Sequence, residues 1–304
     1  MTSASADASF RRYFRVTFAD DRSSAVLMDA PPEKEHCGPF IAIAELFAAA
    51  GANVPRLFAS DITQGLLLLT DFGSKTYLDA LNENSADALY RDAIAALIRI
   101  QRSSRAGVLP EYDRALLMRE LELFPEWYVG QQLARDITPG QRAVIDQTFN
   151  RLLANNLAQP RVFVHRDYHS RNLMVTQPNP GILDFQDAVY GPITYDLVSL
   201  LRDAYISWPE ERVLDWAIRY WEVARAAHLA VANDFADFYR DFEWMGVQRQ
   251  IKVVGIFARL CYRDGKTQYL ADQPRVLHYL HTTCRRYIDL APFAKLLDAV
   301  IIAA

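Results

Sequence analysis

Three residues able to bind a metal or move a proton, Asp167, Asn172 and Asp184, lie among short apolar runs of the chain. The runs NLMV and GILDF flank the proline-containing loop TQPNP, so we expect an antiparallel hairpin centred on Pro178. Such a hairpin places positions equally distant from its centre opposite one another, which brings Asn172 beside Asp184. An amide oxygen and a carboxylate held together suit Mg²⁺, a cation that takes oxygen ligands.

Asp167 lies on the loop that leads from the apolar run VFV into the predicted hairpin. A carboxylate in this place can accept a proton from a hydroxyl while a metal neutralises the charge of a phosphoryl group. The three residues together therefore predict metal-assisted phosphoryl transfer to a hydroxyl.

The composition limits the class of protein. The chain has 304 residues, 51% hydrophobic and 23% charged, which is enough for one large globular domain or two lobes. A net charge of −4 without a long Lys/Arg block argues against nucleic-acid binding. The N-terminal sequence lacks secretory-signal features and no run of about eighteen apolar residues occurs, so we expect a cytoplasmic protein that does not span a membrane. Cys37, Cys261 and Cys284 form no C-x-x-C pair, which argues against a zinc site and a disulfide framework.

The pattern changes from strands to helices near residue 70. The runs RRYFRVTF, AVLM, VPRLFASD and GLLLLT predict four strands, with a helix from about Pro39 to Gly51 after the second, which gives the order β-β-α-β-β. The later chain is mainly helical around the small hairpin insert, so the fold class is α+β. Its apolar spacing predicts helices at about 77–81, 85–102, 114–129, 140–156, 195–206, 209–233 and 235–261.

Two motifs carry a resemblance to a known superfamily. HRDYHSRN fits the H-R-D-x-x-x-x-N catalytic loop of protein-kinase-like enzymes, and ILDFQDA supplies the metal-binding Asp that follows it. The longer phrase HRDYHSRNLMV…ILDFQDAVYGPITYDLVSLLRDAY resembles the aminoglycoside phosphotransferase and choline kinase branch. With DASFRRYFRV, MDAPPEK, LFPEWYV and FEWMGVQRQIKVVGIFARLCYRDGK, the chain resembles the anomeric N-acetylmuramate/N-acetylglucosamine kinases of cell-wall recycling.

The resemblance implies a bilobal protein-kinase-like fold. Residues 1–70 would form a small β-rich nucleotide-binding lobe, residues 71–76 the hinge, and residues 77–304 a larger, mainly helical catalytic and substrate-binding lobe. The implied reaction transfers the γ-phosphoryl group of ATP, with Mg²⁺, to the C1 hydroxyl of N-acetylmuramate or N-acetylglucosamine in peptidoglycan recycling.

The resemblance also assigns roles to single residues. Asp167 would be the catalytic base, Asn172 and Asp184 the metal ligands, and Glu45 the acid of the helix in the small lobe.

An earlier copy of the kinase metal motif is in the wrong place. TDFGSK contains Asp71-Phe72-Gly73, but a kinase has its metal-binding Asp after the catalytic loop. We therefore expect Asp184-Phe185-Gln186 to hold the metal. The early triplet would lie at the hinge, where Thr70 and Asp71 are predicted to be close to the nucleotide.

Two elements of the kinase pattern are missing. The loop that should cover the phosphates has the sequence SADASF instead of a glycine-rich motif, and the strand that should carry the phosphate-binding lysine is AVLM, with Met28 in its place. The phosphate cation must then be Lys34 or an arginine, or be absent. The arginine candidates are Arg11, Arg12 and Arg15. These departures keep open a non-catalytic pseudokinase module.

Residues near the catalytic motif are candidates for substrate contact. His169 and Arg171 lie between the base and the metal ligand, where contact with substrate or phosphate competes with a purely structural role in the loop. Asp187 is similarly placed, as a ligand of a substrate hydroxyl or as a loop cap.

One predicted helix carries four basic residues, Arg249, Lys252, Arg259 and Arg263, on a single face. Muramate carries a lactyl carboxylate, which Arg249 and Arg263 are candidates to bind, although a solvated basic stripe is the simpler interpretation. The rival choline and aminoglycoside kinases act on cations and need acidic or aromatic pockets, from which such a basic face would exclude their substrates.

Overall fold

A computed structural model describes residues 2–6, 10–18 and 23–301. Residues 7–9, which form half of the predicted phosphate-covering loop, lie outside the described residues. The strands are β1 (Thr2–Ala6), β2 (Arg12–Thr17), β3 (Ser24–Asp29), β4 (Leu57–Asp61), β5 (Leu66–Thr70), β6 (Arg161–Val164), β7 (Leu173–Met174), β8 (Gly181–Ile182) and β9 (Val189–Pro192).

Most predicted helices are present. The α-helices are α1 (Cys37–Ala49), α2 (Tyr77–Ala80), α3 (Ala86–Arg102), α4 (Arg114–Leu123), α5 (Pro139–Ala158), α6 (Tyr195–Leu201), α7 (Glu210–Ala226), α8 (Phe235–Tyr262), α9 (Gln273–Arg286) and α10 (Ala291–Ile301). A π-helical segment spans Phe124–Gln132, and short 3₁₀ segments span Thr267–Asp272 and Ile288–Leu290. In the described part of the chain, no helix is both long and apolar enough to cross a membrane.

The chain forms two compact units. The first combines Met1–Ser103 with His165–Ala188, and the second combines Ser104–Val164 with Val189–Ala304. The hairpin predicted to bind metal thus packs with the N-terminal residues. The lobe boundaries at 70/71 and 76/77 stay predictions.

The first unit contains a five-stranded antiparallel sheet in the order β1-β2-β3-β5-β4. The predicted β-β-α-β-β order is confirmed, with β1 as an additional edge strand. Tyr13 pairs with Met28, and Met28 with Leu67, so these three side chains share one face of the sheet. Met28 and Leu67 are fully buried. The position of the missing lysine is therefore part of the apolar core.

Helix α1 covers the segment that follows the predicted metal ligand. The buried residues Phe40 and Phe47 pack on Phe185, with ring centroids 4.9 and 6.2 Å apart. The helix ends before Gly51, whose φ of 80° allows the chain to reverse as the sequence predicts. This contact places α1 directly beside the Asp184-Phe185-Gln186 motif.

The hairpin of β7 and β8 forms as predicted, but its register differs by one residue. Leu173 pairs with Ile182, so Asn172 stands opposite Leu183 and not opposite Asp184. The hairpin is bonded to two distant parts of the unit. The Ile182 amide donates to the Asn53 carbonyl at 2.8 Å, and the Val175 amide donates to the Lys75 carbonyl at 2.9 Å.

In the second unit, the predicted helix over 114–129 changes geometry at residue 124. Pro125 has no N–H and cannot donate to the carbonyl four residues earlier, so the α-helix gives way to wider π-helical turns. The 28-residue helix α8 packs against this segment and against α4, α5, α6 and α9. At Gly255 of α8, a Cβ would lie 2.5 Å from the backbone carbon of Leu123, so only glycine permits this close approach.

Helix α8 buries an unusual number of polar side chains: Glu243, Gln248, Arg249, Gln250 and Lys252. The interpretation of its basic residues as a solvated stripe is wrong for Arg249 and Lys252, which are only 5% and 6% exposed.

Candidate active site

The loop that carries Asp167 is held by backbone contacts. The Asp167 amide donates to His165 Nδ1 at 3.2 Å, and His165 Nε2 lies 2.9 Å from the Leu183 carbonyl oxygen. Because Nδ1 accepts a hydrogen bond, the proton of the neutral ring is on Nε2, which donates to Leu183. The buried His165 ring thus joins the loop to the end of the hairpin.

Asn172 connects the predicted base to the predicted metal ligand. Its Nδ2 donates to the Asp167 carbonyl at 3.0 Å and to Asp184 Oδ2 at 3.2 Å. Both amide hydrogens are used in these two bonds, which leaves the Asn172 Oδ1 atom as a possible cation ligand. The predicted proximity of Asn172 and Asp184 is therefore confirmed despite the shifted register.

The backbone at Asp184 explains this proximity. In a regular strand, Asp184 would point away from the face that Asn172 shares with Leu183. Asp184 instead has a left-handed backbone, with φ of 62°, which breaks the alternation and turns its carboxylate towards Asn172. Aspartate tolerates this conformation better than most residues.

Gln186 is a site residue that the sequence reasoning missed. Its Nε2 donates to Asp184 Oδ1 at 2.7 Å, so both oxygens of this carboxylate accept hydrogen bonds from amides. The Gln186 Oε1 atom is buried and has no hydrogen-bond partner among the described residues. The sequence did contain a signal for this residue, because Gln186 occupies the position at which the kinase Asp-Phe-Gly motif has glycine.

The loop that carries Asp167 is anchored to the helices of its own unit. The buried Tyr168 hydroxyl donates to the Ala93 carbonyl in α3 at 2.8 Å, and the Leu78 amide in α2 donates to the Ser170 carbonyl at 3.1 Å. The loop also bonds internally, because the His169 amide donates to the Asp167 carbonyl at 3.0 Å.

The side chains of His169, Arg171 and Asp187 differ in exposure. His169 is buried, whereas Arg171 and Asp187 are exposed. Arg166 Nη1 donates to the Asp187 carbonyl at 3.3 Å. Substrate contact by His169, Arg171 and Asp187 stays a prediction.

The early triplet holds β2 and β3 to the segment after β5. Arg15 donates to the two Asp71 carboxylate oxygens at 2.5 and 2.9 Å, and the Ser24 hydroxyl donates to the same carboxylate at 2.7 Å. The Gly73 amide donates to Asp71 at 2.8 Å. Burial by itself raises the pKa of Asp71, but these hydrogen bonds outweigh it and hold the pKa below its usual range.

Asp71 is therefore expected to affect stability. Its folded-state pKa lies below the unfolded value of about 3.9, so the ionised carboxylate stabilises the fold above that pH, and this contribution disappears as pH falls through the folded-state pKa. Asp71→Asn should lower the free energy of unfolding by about 1–3 kcal/mol at neutral pH. Thermal unfolding of both proteins should show the difference shrinking below pH about 4. A difference that persists in acid would contradict this account.

Phe72 of the same triplet lies on the hairpin. A Cβ built at Gly181 would be 2.7 Å from Phe72 Cδ2, so the close approach of this ring requires glycine in β8. The residues after β5 and the hairpin that carries the predicted metal ligands are thus in direct contact.

Comparison with known proteins identifies the family. The phosphotransferase enzyme family matches residues 1–233, which is more than half of the chain. The chain belongs to this family. It is also 54% identical over 305 aligned residues to the N-acetylmuramate/N-acetylglucosamine kinase of Neisseria meningitidis serogroup B, covering 99% of this chain and 90% of that protein.

Two further comparisons agree. The Pseudomonas putida protein named N-acetylmuramate/N-acetylglucosamine kinase is 52% identical, covering 98% of this chain and 87% of that protein. A choline/ethanolamine kinase family protein from Mesorhizobium loti has a similar fold, with a TM-score of 0.63 at 11% identity over 95% of this chain and 90% of that chain. The predicted α+β fold of the protein-kinase-like type is confirmed.

Without the usual lysine, this phosphotransferase has four candidate cations near the start of its sheet, and three of them have carboxylate partners. Arg11 pairs with Glu35 at 3.0 Å, Arg12 pairs with Asp29, and Arg15 pairs with Asp71. Lys34 has no carboxylate partner among the described residues. Its Nζ lies 4.5 Å from the centroid of the Phe10 ring, next to the predicted phosphate loop.

Glu45 and Thr70 occupy different surroundings from those that the kinase pattern implies. Glu45 is exposed on α1 beside a cavity of about 240 Å³ that Phe40 and Arg56 also line, and no cation pairs with it among the described residues. The Thr70 hydroxyl accepts from the Arg56 amide at 3.1 Å. Nucleotide contact by either residue stays a prediction.

The two basic residues predicted to bind substrate differ in their exposure to solvent and in their partners. Arg263 is exposed and donates to both carboxylate oxygens of its neighbour Asp264, at 2.7 and 2.9 Å. Arg249 is buried, and no described carboxylate pairs with it. Both lie in the second unit of this phosphotransferase.

Proposed function

We propose that the protein is an ATP-dependent kinase that phosphorylates the C1 hydroxyl of N-acetylmuramate, N-acetylglucosamine or both, in peptidoglycan recycling. The observation that carries the proposal is the 54% identity, over almost the whole chain, to a kinase named for these two sugars. The grouping of Asp167, Asn172 and Asp184 supports phosphoryl transfer as the reaction.

The donor atoms at the hairpin fit Mg²⁺. Asn172 Oδ1 and the Asp184 carboxylate are hard oxygen ligands, and the buried Gln186 Oε1, which has no partner among the described residues, adds an acceptor for a cation-bound water. We assign Asn172 and Asp184 as the residues that hold the ion. Bound there with ATP, Mg²⁺ would supply positive charge to the phosphate oxygens.

Asp167 would act as the general base. Hydrogen bonds of its backbone to His165, His169 and Asn172 hold the loop that carries it, and its carboxylate would accept the proton of the sugar hydroxyl. The anomeric hydroxyl is more acidic than an ordinary sugar hydroxyl because of the adjacent ring oxygen. One carboxylate can therefore suffice as the base.

The position phosphorylated can be tested by the reducing power of the sugar. Phosphorylation at C1 removes the reducing end, whereas phosphorylation at C6 leaves it free. With ATP, Mg²⁺ and either sugar, we expect loss of reducing-sugar signal in step with ADP release. A product that remains fully reducing, or whose phosphorus couples to the C6 protons in NMR, would rule out the C1 assignment.

Lys34 is our candidate for the missing phosphate cation, because its charge is not balanced by a described carboxylate. Lys34→Met is expected to raise the KM for ATP by about 10-fold, the effect of losing a hydrogen bond from a charged group, without changing the KM for the sugar. Lys295→Met, at an exposed position of α10, is the matched control. Unchanged ATP kinetics in the Lys34 variant would exclude this residue.

A non-catalytic nucleotide-binding module is the second candidate, and the burial of Met28 in the lysine position favours it. An ATP-consumption assay with amino sugars, choline and aminoglycosides separates the candidates, because a pseudokinase consumes ATP with none of them. The same assay tests the choline and aminoglycoside alternative. Because the proposed reaction uses ATP, we place it in the cytoplasm.

A further inference from the structure

The hairpin that carries the predicted metal ligands is too short to hold its own position. Strands β7 and β8 share two residue pairs, which join Leu173–Met174 to Gly181–Ile182. An isolated two-stranded hairpin is at best marginally stable in water. The position of Asn172 and Asp184 at its open end therefore depends on contacts with the rest of the first unit.

The turn at the tip of this hairpin is closed mainly by side chains. Pro178 and Pro180 have no N–H and cannot donate a backbone hydrogen bond. The Thr176 amide donates to the Asn179 side-chain oxygen at 3.3 Å, and the Thr176 hydroxyl donates to the Pro178 carbonyl at 2.8 Å. The Thr176 hydroxyl oxygen and the Pro178 carbonyl can accept further hydrogen bonds from outside the hairpin.

Asn53 donates to both of these acceptors. It lies between α1 and β4, 123 residues before Thr176 in the chain. Its Nδ2 donates to the Pro178 carbonyl at 2.6 Å and to the Thr176 hydroxyl oxygen at 3.1 Å. The two bonds use both amide hydrogens of Asn53, and the Thr176 hydroxyl keeps its own proton for Pro178, so every donor has an acceptor.

The backbone of Asn53 also binds the second strand of the hairpin. The Asn53 carbonyl accepts from the Ile182 amide at 2.8 Å, and Asn53 forms a parallel bridge with Gly181. Ile182 is two residues before Asp184 in the sequence. A single residue therefore bonds the tip of the hairpin through its side chain and the strand that leads to Asp184 through its backbone.

The helices of the same unit hold the tip at a second residue. Asn179 Nδ2 donates to the Tyr77 hydroxyl in α2 at 2.9 Å and to Asp92 Oδ2 in α3 at 2.7 Å. Burial, and next the negative charge of Asp92, raises the pKa of Tyr77, although the bond from Asn179 opposes this shift. The Tyr77 hydroxyl therefore stays protonated at neutral pH. The tip is thus bonded to Asn53 and to α2 and α3.

We propose that Asn53 is a positioning residue for the metal site: it holds the hairpin in the place where Asn172 and Asp184 can bind the Mg²⁺ of ATP. The proposal rests on the proposed function, because it takes these two residues as the metal ligands. Asn53 acts through Ile182 and through the tip, and all of these contacts lie within the first unit. If Asn53 contributed only to stability, any equally destabilising substitution in this unit would affect metal binding to the same extent.

Asn53→Ala removes both side-chain bonds and leaves the carbonyl that accepts from Ile182. Hydrogen exchange of the Ile182 amide should become about 10-fold faster, because the hairpin separates from its neighbours more often. Binding of Mg²⁺ with ATP should weaken by about 10-fold, the lower end of the range for groups that orient metal ligands. Exchange measured by NMR and calorimetric titration without sugar give the two effects, and neither needs turnover.

Asn82→Ala is the matched control. Asn82 is an exposed residue of the same unit, and its side-chain oxygen accepts from the Asn84 and Ser85 amides at 2.9 and 3.2 Å. The control should lower the temperature of unfolding and leave binding of Mg²⁺ with ATP near the wild-type value. Equal weakening of Mg²⁺ binding by Asn82→Ala and Asn53→Ala would overturn the proposal.

Thr176→Val tests the same contact from the hairpin and almost preserves the shape of the side chain. It decides the matter even where Asn53→Ala does not fold. It should weaken binding of Mg²⁺ with ATP in the wild-type background and have little further effect in Asn53→Ala, because the shared bond is already absent. Unchanged Mg²⁺ binding in Thr176→Val, or independent effects of the two substitutions, would contradict the proposal.

Failure of the proposed function would give a different result, because wild-type protein would then phosphorylate none of the sugars. The titrations with Mg²⁺ and ATP still decide the role of Asn53 in that case. Tight binding by wild-type protein and weaker binding by Asn53→Ala would support the proposal. Equal binding by both proteins, or no binding of Mg²⁺ with ATP by wild-type protein, would contradict it.

Discussion

Replacing Asp167 with asparagine is expected to lower kcat by about 10²- to 10⁴-fold, the usual contribution of a general base. ATP binding should be almost unchanged, because the base acts on the sugar hydroxyl and does not hold the nucleotide. The amide of the Asp167→Asn variant cannot take up the proton, while the loop keeps its backbone bonds to His165 and Asn172. Steady-state kinetics and calorimetric titration with ATP measure the two effects separately.

The matched control for this variant is Asp215→Asn, which removes an exposed carboxylate on α7 that pairs with its neighbour Arg219 on the same helix. Retention of more than about one tenth of the wild-type kcat by Asp167→Asn would argue against a general base.

Replacing Asp184 with alanine is expected to weaken both turnover and binding of Mg²⁺ with ATP. A residue that only orients a metal ligand typically contributes about 10- to 100-fold to metal affinity, so loss of a ligand should cost more than that. Gln186→Leu removes the amide that donates to Asp184 Oδ1 and should fall within the smaller range. The rate measured against Mg²⁺ concentration at fixed ATP gives the apparent affinity of each variant.

Asp71→Asn is the control for the metal effect, because it alters the earlier Asp-Phe-Gly sequence of the chain. It should leave the Mg²⁺ requirement unchanged while lowering stability through Arg15 and Ser24. A Mg²⁺ requirement that changed with Asp71 and not with Asp184 would reverse the assignment of the two motifs.

The candidate catalytic residues were the most predictable part of the site. Apolar runs and prolines place the hairpin, and the hairpin places Asn172 near Asp184. The apolar runs did not predict the exact register of the hairpin. The contact between Asn172 and Asp184 depends instead on the left-handed backbone of Asp184, which the alternation of apolar residues does not indicate. The predicted contact between Asn172 and Asp184 forms because of this local backbone conformation. A strand with strictly alternating side chains would point Asp184 away from Asn172.

Burial of charge was the least predictable feature. The spacing of basic residues in α8 shows that they share a face, but not whether that face meets solvent. Lys252 is buried because Glu120, more than a hundred residues earlier, reaches its ammonium group. Such long-range pairing leaves no local pattern in the sequence. By contrast α9, with Val276, Leu280 and Cys284 buried at intervals of four, had a readable pattern that our predicted helices did not include.

The discontinuity of the first unit has a consequence for how the protein is made. Met1–Ser103 leaves the ribosome first, but the unit is incomplete until residues up to Ala188 have followed. At about 5–20 residues per second, that interval is roughly 4 to 17 s. During this time Phe40 and Phe47 of α1 lack Phe185, and the Asn53 and Lys75 carbonyls lack their partners in the hairpin. The nascent chain therefore exposes apolar surface and unpaired backbone groups that a chaperone can bind, and completion of this unit coincides with assembly of the candidate catalytic motif.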